Sequence, residues 1–245
     1  LTQRLLFIDI ETLPAKVVVF QLWKPVIGMD QILEPSRIGG FSYRWYGEKK
    51  ARWLSEHHDG ADAMHDKLWE LLDEADIVIG YNSQRFDTPW ITGELILRGK
   101  TPPSPFRQID LYRVSRQHMR LLSGKLDYLS LRLLEDRKVK HEGIGLWKAC
   151  LEGDGAAWNR MRRYGLKDTD LMIPIYEILR PWIKTHPNLA VGSEEAICTR
   201  CESTDLQRRG FDYRTTGSYQ RYVCKSCGGW MTGSHRVATT ALRSA

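Results

Sequence analysis

The sequence predicts an α/β domain, a mixed sheet flanked by helices, with a small second module near the C-terminal end. Three observations carry this expectation. Residues 5–10 (Leu-Leu-Phe-Ile-Asp-Ile) and 77–79 (Ile-Val-Ile) are short apolar runs with β-branched character, the pattern of buried strands. Between them lie two more strand-like segments and one amphipathic helical stretch, and after them the chain is mostly helical. Two Cys-x-x-Cys pairs then follow near the end.

Each element has its own justification. The first run is bounded by Arg4 and Pro14, and residues 17–35 lack a clear period and read as an irregular excursion. Residues 38–46 and 51–54 read as the second and third strands of an antiparallel meander, turned at Gly47-Glu48-Lys49. Met64, Leu68, Leu71 and Leu72 fall on one face of a helix over 61–74. Residues 76–80 form the next buried strand, which gives way through Tyr81-Asn82 to a helix over 86–98. A proline-rich loop, 99–105, precedes helices over 110–119 and 126–134, and 138–145 is a polar, glycine-bearing connection. A long helix over 158–183 is bent or interrupted near Pro174 and ended at Pro181 or shortly after. Thr185-His186-Pro187-Asn188 and Gly192-Ser193-Glu194-Glu195 mark a boundary, so domains are expected over 1–190 and 191–245. The tail, 236–245, is small and polar and is assigned no structure.

Composition narrows the function classes. A hydrophobic fraction of 42% is enough for a core and excludes a disordered chain. Lys+Arg of 36 against Asp+Glu of 30 gives a formal charge of +6, which suits a polyanionic partner without requiring one. No apolar run approaches the roughly 20 residues of a membrane span, and no signal-peptide pattern opens the chain. A soluble, cytoplasmic protein with no membrane partner is therefore expected, its cysteines kept reduced.

Carboxylates interrupt this pattern in telling places. Asp9 breaks an apolar strand, and an ionised acid there costs several kcal/mol or more unless paired or metal-bound. Glu11, two residues on, points to the same face, and a divalent cation would relieve the repulsion between the two. Read alone, the pair also suits a strand end with two solvated acids. Asp87 stands where the second buried strand gives way to a helix, a place for either a helix cap or a ligand. Tyr164 and Asp168, four apart, share a helix face, as a surface pair or as a phenol beside a carboxylate that holds a water.

In this order, Asp9-x-Glu11, Asn82-x-x-x-Phe86-Asp87 and Tyr164-x-x-x-Asp168 together resemble the DEDD exonuclease superfamily, with its ribonuclease H-like fold, over roughly residues 4–183. The branch with tyrosine in the third motif is the match, because the histidine of the other branch would fall at Arg163. Asp170 is a rival for the last acid, but four residues before it stands Leu166. Leu146-Trp147, Gly153-Asp154, Trp158, Pro181-Trp182-Ile183 and His186-Pro187-Asn188 are also similar to stand-alone exonucleases of phage genomes, although Trp147 and Trp158 equally suit a core.

The resemblance implies a 3′–5′ exonuclease acting on DNA ends in preference to RNA, with two Mg²⁺ or Mn²⁺ ions. Asp9, Glu11 and Asp168 would hold one ion, and Asp9 with Asp87 would help hold the second. Tyr164 would orient the attacking water, since a phenol titrating near pH 10 is a poor base at neutrality. Asn82 and Phe86 would meet the nucleic acid. A separate polymerase or replication protein is the implied partner, in a bacterial host's cytoplasm if the chain is phage-encoded. An RNA 3′–5′ exonuclease shares every one of these residues, and a replication adaptor that binds nucleic acid without turnover is the alternative from another class.

Cys198, Cys201, Cys224 and Cys227 have the spacing of a tetrahedral structural Zn²⁺ site, with a pair of disulfides as the other reading. The module resembles a zinc ribbon, with a short hairpin over 206–223 too small to fold without metal. Arg208, Arg209, Arg214, Arg221 and Lys225 alternate there with Phe211, Tyr213, Tyr219 and Tyr222. Of these, Arg208, Arg209, Arg214, Tyr219, Arg221 and Tyr222 are candidate nucleic-acid contacts, the other reading being a solvated ribbon whose aromatics form a small core. Cys150 lies outside this set and reads as a buried apolar residue.

Overall fold

The computed structural model describes residues 3–138 and 143–241. The chain divides into two compact units, Arg4–Ile175 and Tyr176–Ala245 with Leu1–Gln3. In order, the elements are β1 (Leu5–Leu13), β2 (Lys16–Val17), β3 (Ile32–Glu34), β4 (Arg37–Trp45), β5 (Arg52–Ser55), α1 (Glu56–Asp59), α2 (Ala61–Glu74), β6 (Ile77–Gly80), α3 (Asp87–Leu97), β7 (Arg107–Asp110), α4 (Leu111–His118), α5 (Leu126–Leu134), α6 (Ile144–Leu151), α7 (Gly155–Leu179), β8 (Leu206–Arg214), β9 (Gly217–Cys224) and β10 (Trp230–Ala238).

The first unit is a five-stranded mixed sheet in the order β5-β4-β1-β6-β7, with β1 central, antiparallel to β4 and parallel to β6. Alternation along β1 explains its double role. Leu6, Ile8 and Ile10 enter a core with Met64, Leu68, Leu71 and Leu72 of α2 and Ile91 and Leu95 of α3. Residues of the opposite parity, Asp9 and Glu11 among them, face away from that core. Leu13 joins a second cluster with Leu146 and Cys150 of α6 and Ala157, Trp158 and Met161 of α7. Cys150 is therefore buried as an apolar residue, and Trp158 is core, its indole donating to the Cys150 carbonyl at 3.1 Å.

α7 carries Pro174 inside it and docks on the sheet beside Asp9. Ser42, opposite Asp9 in the β1–β4 ladder, is fully buried, its hydroxyl 2.6 Å from that of Thr169 and donating to the Gly165 carbonyl at 2.8 Å. Gly165 permits this approach, because a Cβ there would lie 2.6 Å from the Trp53 ring. Gly165→Ala should therefore lower unfolding free energy by about 1–3 kcal/mol through overpacking, against a gain of about 1 kcal/mol in helix propensity. Urea unfolding checks this: a variant more stable than the parent would show that the helix does not need the close contact.

Several expectations need correction. The excursion over 17–35 contains a small two-stranded ladder, β2 with β3, whose connecting segment exposes Phe20, Leu22 and Trp23 almost completely. Within the mostly helical stretch after the second buried strand, β7 adds a strand that was not expected, the fifth of the sheet and parallel to β6. α6 lies where no helix was expected. The polar connection over 138–145 falls largely on residues 139–142, outside the described residues. Helix α3 is capped at Phe86, with Asp87 in its first turn, so Asp87 is not the N-cap.

The second unit carries a three-stranded antiparallel sheet in the order β10-β9-β8. The expected hairpin is β8–β9, and the correction is β10, which reaches Ala238 and so takes in the start of the tail expected to lack structure. Beyond Leu189 the buried apolar residues among those described are Cys198 and Cys224. The ribbon has almost no hydrocarbon core.

Candidate active site

Asp9, Glu11 and Asp168 each bring one carboxylate oxygen to a cluster whose members lie within 4.8 Å of one another. β1 supplies the first two from one face, and α7, seated against Ser42, supplies the third. Asp168 is buried, whereas Asp9 and Glu11 are half-buried. The rival Asp170 points elsewhere, to a salt bridge with Arg44 at 2.8 Å.

Three acids this close raise one another's proton affinity. Burial, then the charges of Asp87, Asp168 and Glu11, holds the Asp9 carboxyl well above the ordinary carboxylate range. Burial and the charge of Asp168 push Glu11 up to about 8. Hard oxygen donors with mutually unfavourable charge form a set able to hold a divalent metal ion.

Asp87 falls outside this trio and acts from behind it. It is buried and accepts the Ile10 backbone N–H at 3.0 Å, fixing the strand between the two acids of β1. Burial raises its pKa to about 7 despite that hydrogen bond.

Metal-free folded protein thus holds protons on Asp9, Glu11 and Asp87 that the unfolded chain has released, between about pH 4.5 and 8. Its stability should fall as pH rises through that window. A divalent ion has to displace those protons, so its affinity should rise with pH over the same interval. Melting in EDTA and in millimolar Mg²⁺ tests this: the melting temperature in EDTA drops from pH 5 to 8 and the Mg²⁺-induced increase grows. A metal increment independent of pH would contradict the arrangement.

Sequence reasoning missed Lys138. Its ammonium pairs with Asp168, donates to the Tyr164 hydroxyl at 2.9 Å and lies 4.7 Å from that ring's centroid. Burial pulls the Lys138 pKa down, but Asp168 and Tyr164 outweigh it and the net shift is upward. Burial and the Asp168 charge raise the Tyr164 pKa, so this phenol stays protonated at neutral pH. A lone lysine in a polar connection offers no spacing to recognise, so no signal could have found it. Asp110 was also missed as a positioning residue: it is buried at the end of β7 and accepts the N–H groups of Asn82 at 2.9 Å and Tyr112 at 3.0 Å. An acid directly before a helical run was its available signal.

An open cleft of about 830 Å³ adjoins the trio, lined by Asp9, Tyr81, Asn82, Tyr112, Lys138 and Tyr164, among others. Asn82 reaches it from a left-handed turn at φ 59°, a conformation asparagine tolerates. Phe86 is not among its lining residues; it is 40% exposed, with its ring 6.4 Å from that of Trp90. Trp147 is half-buried and donates to the Thr12 carbonyl at 3.0 Å, tying down the strand just past Glu11.

In the second unit the Sγ atoms of Cys198, Cys201, Cys224 and Cys227 also lie within 4.8 Å of one another, with none of them in a disulfide. This clustering is compatible with a zinc ribbon and able to hold a metal ion. The six candidate nucleic-acid contacts of the ribbon do not form one patch. They divide between the two faces of its sheet, Arg208 and Tyr222 opposite each other on one face, and Arg209, Arg214, Tyr219 and Arg221 on the other.

Among the described residues no helix is long and apolar enough to cross a membrane. No curated protein matches the sequence. The family B DNA polymerase of the hyperthermophilic archaeon Pyrobaculum calidifontis is similar in fold, with a TM-score of 0.57 at 16% identity, over 74% of this chain. The match covers 25% of that polymerase. The family model for the RNase_H superfamily matches residues 34–180, spanning the sheet from β4 onward and the helix that carries Asp168. With the central mixed sheet and the clustered acids, this establishes that the chain belongs to the RNase_H superfamily.

Proposed function

We propose that this protein is a metal-dependent 3′–5′ exonuclease that removes nucleotides from DNA ends in preference to RNA ends. The convergence of Asp9, Glu11 and Asp168 within 4.8 Å carries the proposal. The order of the motifs supports the 3′–5′ direction, and the fold shared with a DNA polymerase favours DNA. The three acids, with Asp87 behind them, would hold two Mg²⁺ or Mn²⁺ ions, which when bound supply charge neutralisation at the phosphate and a lowered pKa for the attacking water.

The chain's own residues do the rest. Tyr164, a neutral phenol, orients the water. Lys138, which neutralises Asp168, lines the cleft together with Lys125, and its ammonium is placed to meet a phosphate oxygen there. Asp87 and Asp110 hold the β1 backbone and the Asn82 turn in register. Cys198, Cys201, Cys224 and Cys227 would hold one structural Zn²⁺ in a module over 191–245 that contacts the nucleic acid, and a polymerase or replication protein is the partner such an enzyme would serve.

Labelling tests the direction. An oligonucleotide labelled at its 3′ end should release labelled mononucleotide from the first time point, and one labelled at its 5′ end should shorten as a ladder. Early release from the 5′ label would overturn the polarity, and faster turnover of a ribose 3′ end would move the assignment to RNA.

A further inference from the structure

The ribbon's sheet has two faces of different chemistry. Across β9–β10, Val223 pairs with Trp230 and Arg221 with Thr232; Tyr219 pairs with Arg236 on one side and Asp212 on the other. Alternation then places Arg221 and Tyr219 of β9 on the face of Trp230. Arg209 joins them, two residues beyond Gln207, which pairs with Val223, and Arg214 follows two beyond Asp212. Five arginines and one acid, Asp212, occur in β8 to β10. Four of those arginines, 209, 214, 221 and 236, lie on this one face.

Their side chains are organised around rings. The guanidinium of Arg209 lies 5.9 Å and that of Arg221 5.7 Å from the Trp230 ring centroid, and Arg214 lies 4.7 Å from that of Tyr219. Trp230 is 46% exposed. It follows the second cysteine pair by three residues, on backbone held where Cys224 N–H donates to the Gly229 carbonyl at 2.9 Å. The opposite face carries Phe211 and Tyr213, whose rings are 6.3 Å apart, together with Tyr222 and Met231.

We propose that the Trp230/Tyr219 face is a stacking platform for single-stranded nucleic acid, with one base on each ring and the flanking arginines on the adjoining phosphates. This rests on the reading of the chain as a nuclease. The guanidinium groups that lie over these rings can turn to a polyanion's phosphates, and the ring faces they leave suit unpaired bases, whose faces a duplex keeps stacked away. Duplex DNA offers the same phosphates but not those faces.

The test uses the full chain with Asp9→Ala, which removes hydrolysis, and the anisotropy of a labelled thymidine or uridine oligonucleotide. Trp230→Ala and Tyr219→Ala should each weaken binding about tenfold, and Trp230→Phe should restore most of the loss. Arg208→Ala and Tyr213→Ala, on the other face, should change binding by less than about threefold. Zinc content and the ribbon's NMR spectrum establish that each variant is folded, and a variant that is not is replaced by its Phe or Leu counterpart. Equal competition by duplex, or affinity unchanged in a folded Trp230→Leu variant, would overturn the platform. Trp230-dependent binding in a chain whose native form hydrolyses nothing would leave the platform standing and remove the exonuclease reading. Hydrolysis with Trp230-independent binding would do the reverse.

Discussion

Asp9→Ala should reduce hydrolysis roughly 10³-fold or more, since it removes an oxygen donor from the trio on which the metal-supplied stabilisation depends. The same substitution should not harm the fold. Asp9 contributes a half-buried, repelled carboxyl, so its removal relieves desolvation and repulsion, and in EDTA near pH 8 the variant should melt at or above the parent's temperature. Asp168→Ala should abolish turnover equally but behave differently in stability. It takes the ion-pair partner from Lys138, whose side chain is only 23% exposed, and should cost about 1–2 kcal/mol. That is less than a fully buried pair loses, because Lys138 is partly solvated and keeps its hydrogen bond to the Tyr164 hydroxyl. Circular dichroism melts beside turnover assays separate the two variants. Unaltered turnover in either would exclude that acid as an essential ligand.

Cys198→Ser should release one equivalent of zinc and unfold the ribbon. The four thiolates converge, while the strands around them bury almost no hydrocarbon, so little but the metal can offset the chain entropy of β8 to β10. Structural zinc contributes on the order of 10 kcal/mol in small modules, more than such a sheet could replace. The core around β1, α2 and α3 is built without these residues and should keep its cooperative melt. Zinc released to a chromophoric chelator and the loss of dispersed β8–β10 amide resonances are the readouts. Dispersed resonances retained in the zinc-free variant would show that the ribbon holds itself together by other means.

How much of this was legible depended on whether function imposed a pattern on neighbouring residues. Asp9 and Glu11 stood out because acids do not belong in an apolar strand. Asp168 was separated from Asp170 by its spacing to Tyr164, and the structure sends Asp170 to Arg44 instead. β1, α2 and β6 were plain from their periods. β7 was hidden because Arg-Gln-Ile-Asp holds one apolar residue and follows three prolines, so only its pairing with β6 makes it a strand. β10 was hidden likewise, because its ladder with β9, and not its own composition, holds it extended. Lys138 and Asp110 act through contacts made at long range or in the turn beside them, and neither leaves a repeat in the sequence. The ribbon's aromatics and cations could be listed from the sequence, but which face each takes is set by strand register, and Gly210 shifts that register within β8.

The most direct test of the central claim is turnover of a 5′-labelled single-stranded DNA oligonucleotide in Mg²⁺, in Mn²⁺ and in EDTA, with Asp9→Ala alongside. A ladder shortening from the 3′ end is expected with either metal, and none in EDTA or in the variant. An intact oligonucleotide in both metals, with RNA and duplex ends equally untouched, or a ladder that persists in Asp9→Ala, would contradict the claim.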